Sequence, residues 1–166
     1  MFFKDVVKSP IGNLIIEYSE KGIIRISIKE NIDNIFSDTM PISFLSDAVK
    51  DSVNRYFQFP HSDIHHLPLD LSDFSTFYVK VWKFCQKISI GRRVSYSYIG
   101  EKLGLRNYQR TIGFILSKNP IPLIIPCHRV IKKTGDLGGY IAGQNIKKWL
   151  LNWENQLVNS SKEFIV

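Results

Sequence analysis

The apolar residues of this chain keep two different periods, and the second begins before a short proline-bearing stretch that divides the sequence. Leu14 to Tyr18 and Ile23 to Ile28 read as two strands joined by the turn Ser19-Glu20-Lys21-Gly22, with Ile24, Ile26 and Ile28 alternating with Arg25 and Ser27. That is a hairpin with one buried face. From Ser43 the period becomes helical: Phe44, Leu45, Ala48, Val49, Val53, Tyr56 and Phe57 share a face opposite Asp47, Lys50, Asp51 and Asn54. The stretch from Phe59 to Ser72 carries Pro60 and Pro68 with little periodicity, which predicts a domain boundary there.

The charge changes at the same point. Residues 1–72 carry 7 basic and 10 acidic side chains, net −3, whereas residues 73–166 carry 15 and 5, net +10. A chain of 166 residues holds one domain or two small ones. We therefore expect a structural sheet-and-helix domain over 1–72 and a basic domain over 73–166. Clustered cations are the footprint of a polyanion partner, since they release its condensed counterions; on charge alone a solvated basic face explains them equally well.

An apolar share of 44% with 22% charged residues is globular rather than disordered composition. No apolar run nears the roughly 20 residues of a membrane helix, and MFFKDVVK lacks the h-region of a secretory signal. A location in the cytoplasm, or the nucleus in a eukaryote, is expected. The two cysteines, Cys85 and Cys127, are far apart and form no CxxC, so neither a disulfide framework nor a zinc site is suggested. His61, His65 and His66 sit in the proline-flanked loop and read as solvated, so no metal is expected.

In the second part, Phe74, Phe77, Tyr78, Val81, Cys85 and Ile88 follow one helical face, and Gly91 suits a left-handed stop. Ser95 can cap a helix over Tyr96 to Leu103; Gly104 permits a tight turn; Asn107 can cap a second helix, Tyr108 to Lys118. Helix, turn and helix in a basic region suggest a helix-turn-helix. Leu123 to Ile125 reads as a short buried strand, and Gln144 to Gln156 as a helix with Ile146, Trp149, Leu150, Trp153 and Leu157 on one face.

The sharpest local feature is Ile124-Ile125-Pro126-Cys127-His128-Arg129-Val130. A cysteine is a nucleophile only as thiolate, and cationic or proton-accepting neighbours lower its pKa. Cys127 has both kinds beside it. For an arbitrary cysteine the commoner role is a small buried hydrophobe, which suits Cys85 on its apolar helix face.

The run NPIPLIIPCHRV, Asn119 to Val130, resembles the active-site signature of the O6-alkylguanine-DNA alkyltransferases. Further matches follow in order: VSY at Val94 to Tyr96, Arg110 and Gly113, GGY at Gly138 to Tyr140, and KKWLLNWE at Lys147 to Glu154. The resemblance covers residues 74–156; before them only the outline of a small sheet plus helix agrees. It implies an α/β (α+β) fold, a small N-terminal β-sheet and helix domain packed on a mostly helical C-terminal domain containing the helix-turn-helix. It also implies DNA repair by direct, irreversible and stoichiometric alkyl transfer from O6-alkylguanine, with O4-alkylthymine a second candidate, to Cys127. The partner would be double-stranded DNA with a flipped alkylated base, the protein a monomer, and no cofactor is required.

By the same resemblance His128, through a water, takes the proton of Cys127, and Glu154 orients the imidazole. Asn119 is the hinge asparagine, and Tyr96 hydrogen-bonds the guanine ring nitrogen and helps the leaving purine gain a proton. Tyr140 closes the pocket, the Ile141 amide donates to guanine O6, and the carbonyls of Cys127 and Val130 accept the exocyclic amine. Arg110 fills the gap left by the flipped nucleotide, while Gly113, Phe114 and Arg129 complete the DNA-binding set. Taken singly, Glu154 reads as a solvated helix residue, Asn119 as a helix end, Tyr96 as an exposed aromatic and Arg110 as a phosphate-binding or solvated arginine.

Two positions depart from the family pattern. Ile141-Ala142-Gly143 stands where a small residue and two glycines are common, which makes the pocket rim bulkier and predicts poorer acceptance of groups such as O6-benzyl. Phe114 follows Gly113 where many relatives have a small residue, so it either hinders approach to the minor groove or wedges between bases. Two other classes compete with the repair reading. A non-catalytic helix-turn-helix module binding alkylated DNA would leave Cys127 unalkylated, and a Cys/His hydrolase would turn over more than once.

Overall fold

The structure, a computed structural model, describes residues 3–31, 46–59, 62 and 64–163. They divide into two compact units, Met1–Leu71 and Ser72–Val166. Among them no helix is long and apolar enough to cross a membrane.

In the first unit β1 (Phe3–Ser9), β2 (Gly12–Tyr18) and β3 (Ile23–Lys29) form an antiparallel meander in sequence order. The predicted hairpin is present, but its buried face is shifted. Glu17 pairs with Arg25 and Tyr18 with Ile23, so Ile24 is the extra residue of a bulge. Ile23 and Ile26 are therefore buried, while Ile24 and Ile28 are half-exposed, against the expected alternation. Strand β1 carried no clear alternation and was not anticipated.

The helix α1 (Ser46–Gln58) contacts β1 and buries Val49, Val53, Tyr56 and Phe57. Ala48, expected on that face, is exposed; Phe44, Leu45 and His61 lie outside the described residues. Asp5 on β1 accepts from the Ser46 hydroxyl and pairs with Lys50 Nζ at 2.9 Å, tying the helix to the sheet. The stretch before the boundary is bonded into this unit rather than free: Ile23 donates to the Pro68 carbonyl and Asp70 to the Ile23 carbonyl, both at 2.9 Å. Gly22 is needed there, because a Cβ would stand 2.6 Å from the Pro68 oxygen.

The second unit is built around α2 (Thr76–Gln86), which buries Val81, Trp82 and Cys85 and stops before Gly91 at φ +73°. The two-residue strands β4 (Val94–Ser95) and β5 (Val130–Ile131) pair in parallel, Val94 with Val130. Then come α3 (Tyr96–Lys102), capped by Ser95 Oγ accepting from the Tyr98 amide at 3.1 Å, and α4 (Gln109–Ser117). The turn between α3 and α4 contains Gly104 at φ +73° as predicted. Asn107 is no cap: it takes the left-handed conformation at φ +60°, which asparagine tolerates, and Tyr108 occupies the N-cap. Trp82 Nε1 donates to the Ile115 carbonyl at 3.1 Å and so pins α4 to α2.

The last helix, α5 (Gln144–Glu163), is longer than expected and turned about its axis. Its buried residues are Lys147, Leu150, Leu151, Glu154 and Leu157, whereas Ile146 and Trp153 are half-buried and Trp149 is exposed. Hydropathy assigned the two charged residues to water; partners inside the unit hold them in.

Candidate active site

The segment between α4 and β5 is folded by one side chain. Asn119 follows the C-cap of α4, and its Oδ1 accepts from the Ile121 amide at 3.0 Å while Nδ2 donates to the Ile125 carbonyl at 2.9 Å and to Cys127 Sγ at 3.0 Å. The intervening Leu123 to Ile125 is a tight turn, not the predicted strand: Ile125 donates to the Ile121 carbonyl at 3.0 Å, and Leu123 sits at φ +78°. A leucine is rarely found there; complete burial of Ile121, Leu123, Ile124 and Ile125 holds it in place. Pro126 then leads into a turn of 3-10 helix, Cys127–Arg129.

The imidazole and guanidinium that follow both turn to one carboxylate. His128 Nε2 lies 2.8 Å from Glu154 Oε1, and Arg129 donates to the same carboxylate through Nε at 3.0 and 3.1 Å and through Nη2 at 2.8 Å. Arg129 Nη1 also donates to the Ile88 carbonyl, and the Gly91 amide donates to Glu154 Oε2 at 3.1 Å. Arg129 is only 2% exposed. It cannot belong to a DNA-binding set, and the expectation is corrected: its charge is spent inside the fold on Glu154.

The electrostatics follow from burial and these partners. Burial pushes the Glu154 carboxyl up, but His128 and Arg129 together hold it well below the usual carboxylate range. Burial lowers His128 despite the opposing pull of Glu154, so its imidazole is neutral near pH 7. Its Nδ1 is buried without a hydrogen-bond partner among the described residues. Burial raises the Cys127 thiol to about 11, with the Asn119 bond and then the Lys147 charge acting the other way. The neighbours thus moderate the thiol without bringing it below its ordinary value, contrary to the sequence expectation.

Cys127 closes the floor of a cleft of about 390 Å³ lined also by Tyr96, Tyr140, Ile141 and, from α4, Gly113. The volume is in the range of a small-molecule site. Pairing of β4 with β5 carries Tyr96 to this cleft, and its hydroxyl is so near the chain that a Cβ on Gly138 would meet it at 2.8 Å. Burial, then Cys127, raises the Tyr96 phenol, which therefore keeps its proton. The His128 and Tyr140 rings meet edge to face at 6.1 Å. The buried Lys147 donates to the Val130 carbonyl at 2.7 Å and the Gly139 carbonyl at 3.2 Å.

Residues 76–156 match the family described as "6-O-methylguanine DNA methyltransferase, DNA binding domain", and residues 2–71 match its "ribonuclease-like domain". The chain belongs to the 6-O-methylguanine DNA methyltransferase family. A protein of Metallosphaera sedula named methylated-DNA--protein-cysteine methyltransferase is 33% identical over 150 residues, covering 90% of this chain and 91% of that one. A "DNA base-flipping protein" of Thermus thermophilus is 32% identical over 151 residues, with coverage of 90% and 97%. The crystal structure of the Mycobacterium tuberculosis protein OGT in complex with DNA superimposes with a TM-score of 0.79 at 29% identity, covering 94% of this chain and 93% of that one.

Among the sequence-predicted residues of this methyltransferase, Cys127, Asn119, His128 and Glu154 form one bonded group, and Tyr96, Tyr140, Ile141 and Gly113 line the cleft beside it. Arg110 and Phe114 stand exposed on α4. The Cys127 carbonyl accepts from the Val130 amide and the Val130 carbonyl from Lys147. Sequence reasoning gave no part in the site to Leu116 or Ser117, and quoted Lys147, Gly91 and Gly139 without assigning them one. Lys147 was legible in principle: it stands seven residues before Glu154, on the same helical stripe as Leu150 and Leu151.

Proposed function

We propose that this chain repairs DNA by moving the alkyl group of an O6-alkylguanine to Cys127. The observation that carries this reading is the group in which Asn119 holds the sulfur at the cleft floor while a neutral His128, backed by Glu154, offers a buried and unpartnered Nδ1. The thiol is protonated at rest, so the base must act during the reaction. His128 Nδ1 takes the proton through a water, the sulfur attacks the alkyl carbon, and the carbon–O6 bond breaks with its electron pair going to the purine. Glu154 stabilises the imidazolium, and the purine anion takes a proton from the Tyr96 phenol. The step balances without a metal or cofactor.

The guanine is held between Tyr96 and Tyr140, with the Ile141 amide toward O6 and the carbonyls of Cys127 and Val130 toward the exocyclic amine. Arg110, exposed on α4, enters the gap that the flipped nucleotide leaves in double-stranded DNA; Gly113 allows the close approach. Residues 73–166 carry both binding and transfer, and residues 1–72 support them. The protein acts as a monomer, and the thioether is stable, so each molecule acts once.

Intact mass and peptide mapping after mixing with excess duplex containing one O6-methylguanine test this directly. One methyl per chain, on Cys127 and absent in Cys127→Ala, is expected. Tight lesion-selective binding without a mass change would replace the reading with a non-catalytic binding module, and turnover beyond one equivalent would point to a hydrolase.

A further inference from the structure

Arg110, Phe114 and Lys118 recur every four residues along α4 and its C-cap, so they form one row on the helix. All three are exposed. The middle member is a phenylalanine with 56% of its surface in water, on a helix whose Ile112, Ile115 and Leu116 are buried. The Lys118 ammonium stands 5.5 Å from the centre of the Phe114 ring. Gly113 and Ser117, which share one flank of Phe114 on the helix, line the cleft with Cys127, but Phe114 does not. The ring therefore stands beside the cleft and presents its surface outward.

An exposed aromatic between two cations is the combination that holds nucleic acid: the ring takes a base face and the cations take phosphates. Apolar side chains also keep base steps open when inserted between them. We propose that Phe114 stacks on the base next to the nucleotide that enters the cleft, one helical turn along from Arg110, while Lys118 pairs with the adjoining phosphate. The bulky residue that departs from the family pattern is then a second contact holding the opened step. This rests on the DNA alkyltransferase reading above.

The test measures binding of a duplex with one O6-methylguanine by anisotropy over a salt series, in the Cys127→Ser protein so that no transfer intervenes. Phe114→Ala weakens binding about tenfold, in the range of one base–aromatic stack, without changing the slope of log K against log salt. Lys118→Ala lowers that slope by about one. In the protein with Cys127 intact, Phe114→Ala slows transfer from the duplex by a similar factor and leaves transfer from the free O6-methylguanine base unchanged, and Phe114→Trp restores the duplex rate. Undiminished duplex binding by Phe114→Ala overturns the inference, and so does an equal loss on the free base, which would put the ring in the cleft. If the unaltered protein transfers nothing from either substrate, the alkyltransferase reading fails while the binding arm still decides the role of Phe114.

Discussion

The Asn119 amide nitrogen lies 3.0 Å from the Cys127 sulfur, and that bond opposes the effect of burial on the thiol. Burial is the stronger influence and raises the thiol to about 11. In the DNA-free protein, alkylation of Cys127 by iodoacetamide should therefore climb about tenfold per pH unit from neutrality and level off only near the raised pKa, because the thiolate is the reactive form. Peptide mass mapping across pH reads this, with buried Cys85 as an internal reference. A plateau at pH 9 or below would refute it.

Replacing Lys147 with Met should push the thiol higher still and slow transfer to Cys127 at least tenfold, while leaving the Val130 and Gly139 carbonyls without their donor. An unpaired buried acceptor costs about 1–3 kcal/mol. Burial lowers Lys147 to about 8, so above that pH the folded chain gives up a proton that the unfolded chain keeps. Its contribution to stability accordingly rises with pH between about 8 and the ordinary lysine value. Urea midpoints for both proteins over that window should differ in slope.

Glu154 works in the opposite pH range. Its folded carboxyl is held below the usual carboxylate value, so the stability it contributes is complete at neutral pH and is lost as the solution is acidified. Glu154→Gln leaves Arg129 buried without its counter-charge, at a cost of about 3–5 kcal/mol. The variant should be less stable at pH 7 and should show a flatter decline of thermal midpoint with acid than the parent.

Two arginines expected on one DNA surface should behave differently. Arg110→Ala should lower the salt slope of duplex binding by about one and leave the thermal midpoint unchanged. Arg129→Ala should lower the midpoint by several degrees, since the residue is 2% exposed and bonded to Glu154 and Ile88. Similar salt slopes for the two variants would contradict the assignment.

Ile141 lines the cleft and is 48% exposed at its rim. Transfer from an O6-benzyl substrate should be slower than from O6-methyl, and Ile141→Gly should narrow the difference. Equal rates for both substrates in the parent protein would remove Ile141 from the size limit.

The reaction centre was legible because its residues lie in short runs: Cys127 and His128 are adjacent, Asn119 precedes them by one turn segment, and GGY carries Tyr140. What was less legible depended on distant partners. The side on which Arg129 would be used is decided by Ile88 and Glu154, 41 and 25 residues away. Hydropathy turned α5 the wrong way because Lys147 and Glu154 are charged yet buried, and partners such as Val130, Gly139, His128, Arg129 and Gly91 make that tolerable. The bulge that exchanges Ile24 for Ile23 arises from pairing with Glu17 and Tyr18, which no single-strand pattern records. The Leu123 turn reads as a strand because its three apolar residues, Leu123 to Ile125, resemble one when their hydrogen bonds are unknown.

The burial of the Cys127 sulfur, only 4% of that residue being exposed, also governs what happens between encounters with a lesion. Peroxide and soluble electrophiles consume thiolates, not thiols, and a sulfur raised to about 11 offers them almost none at neutral pH. For the single transfer proposed above, a thiol held in its protonated form is in this way kept in reserve between encounters.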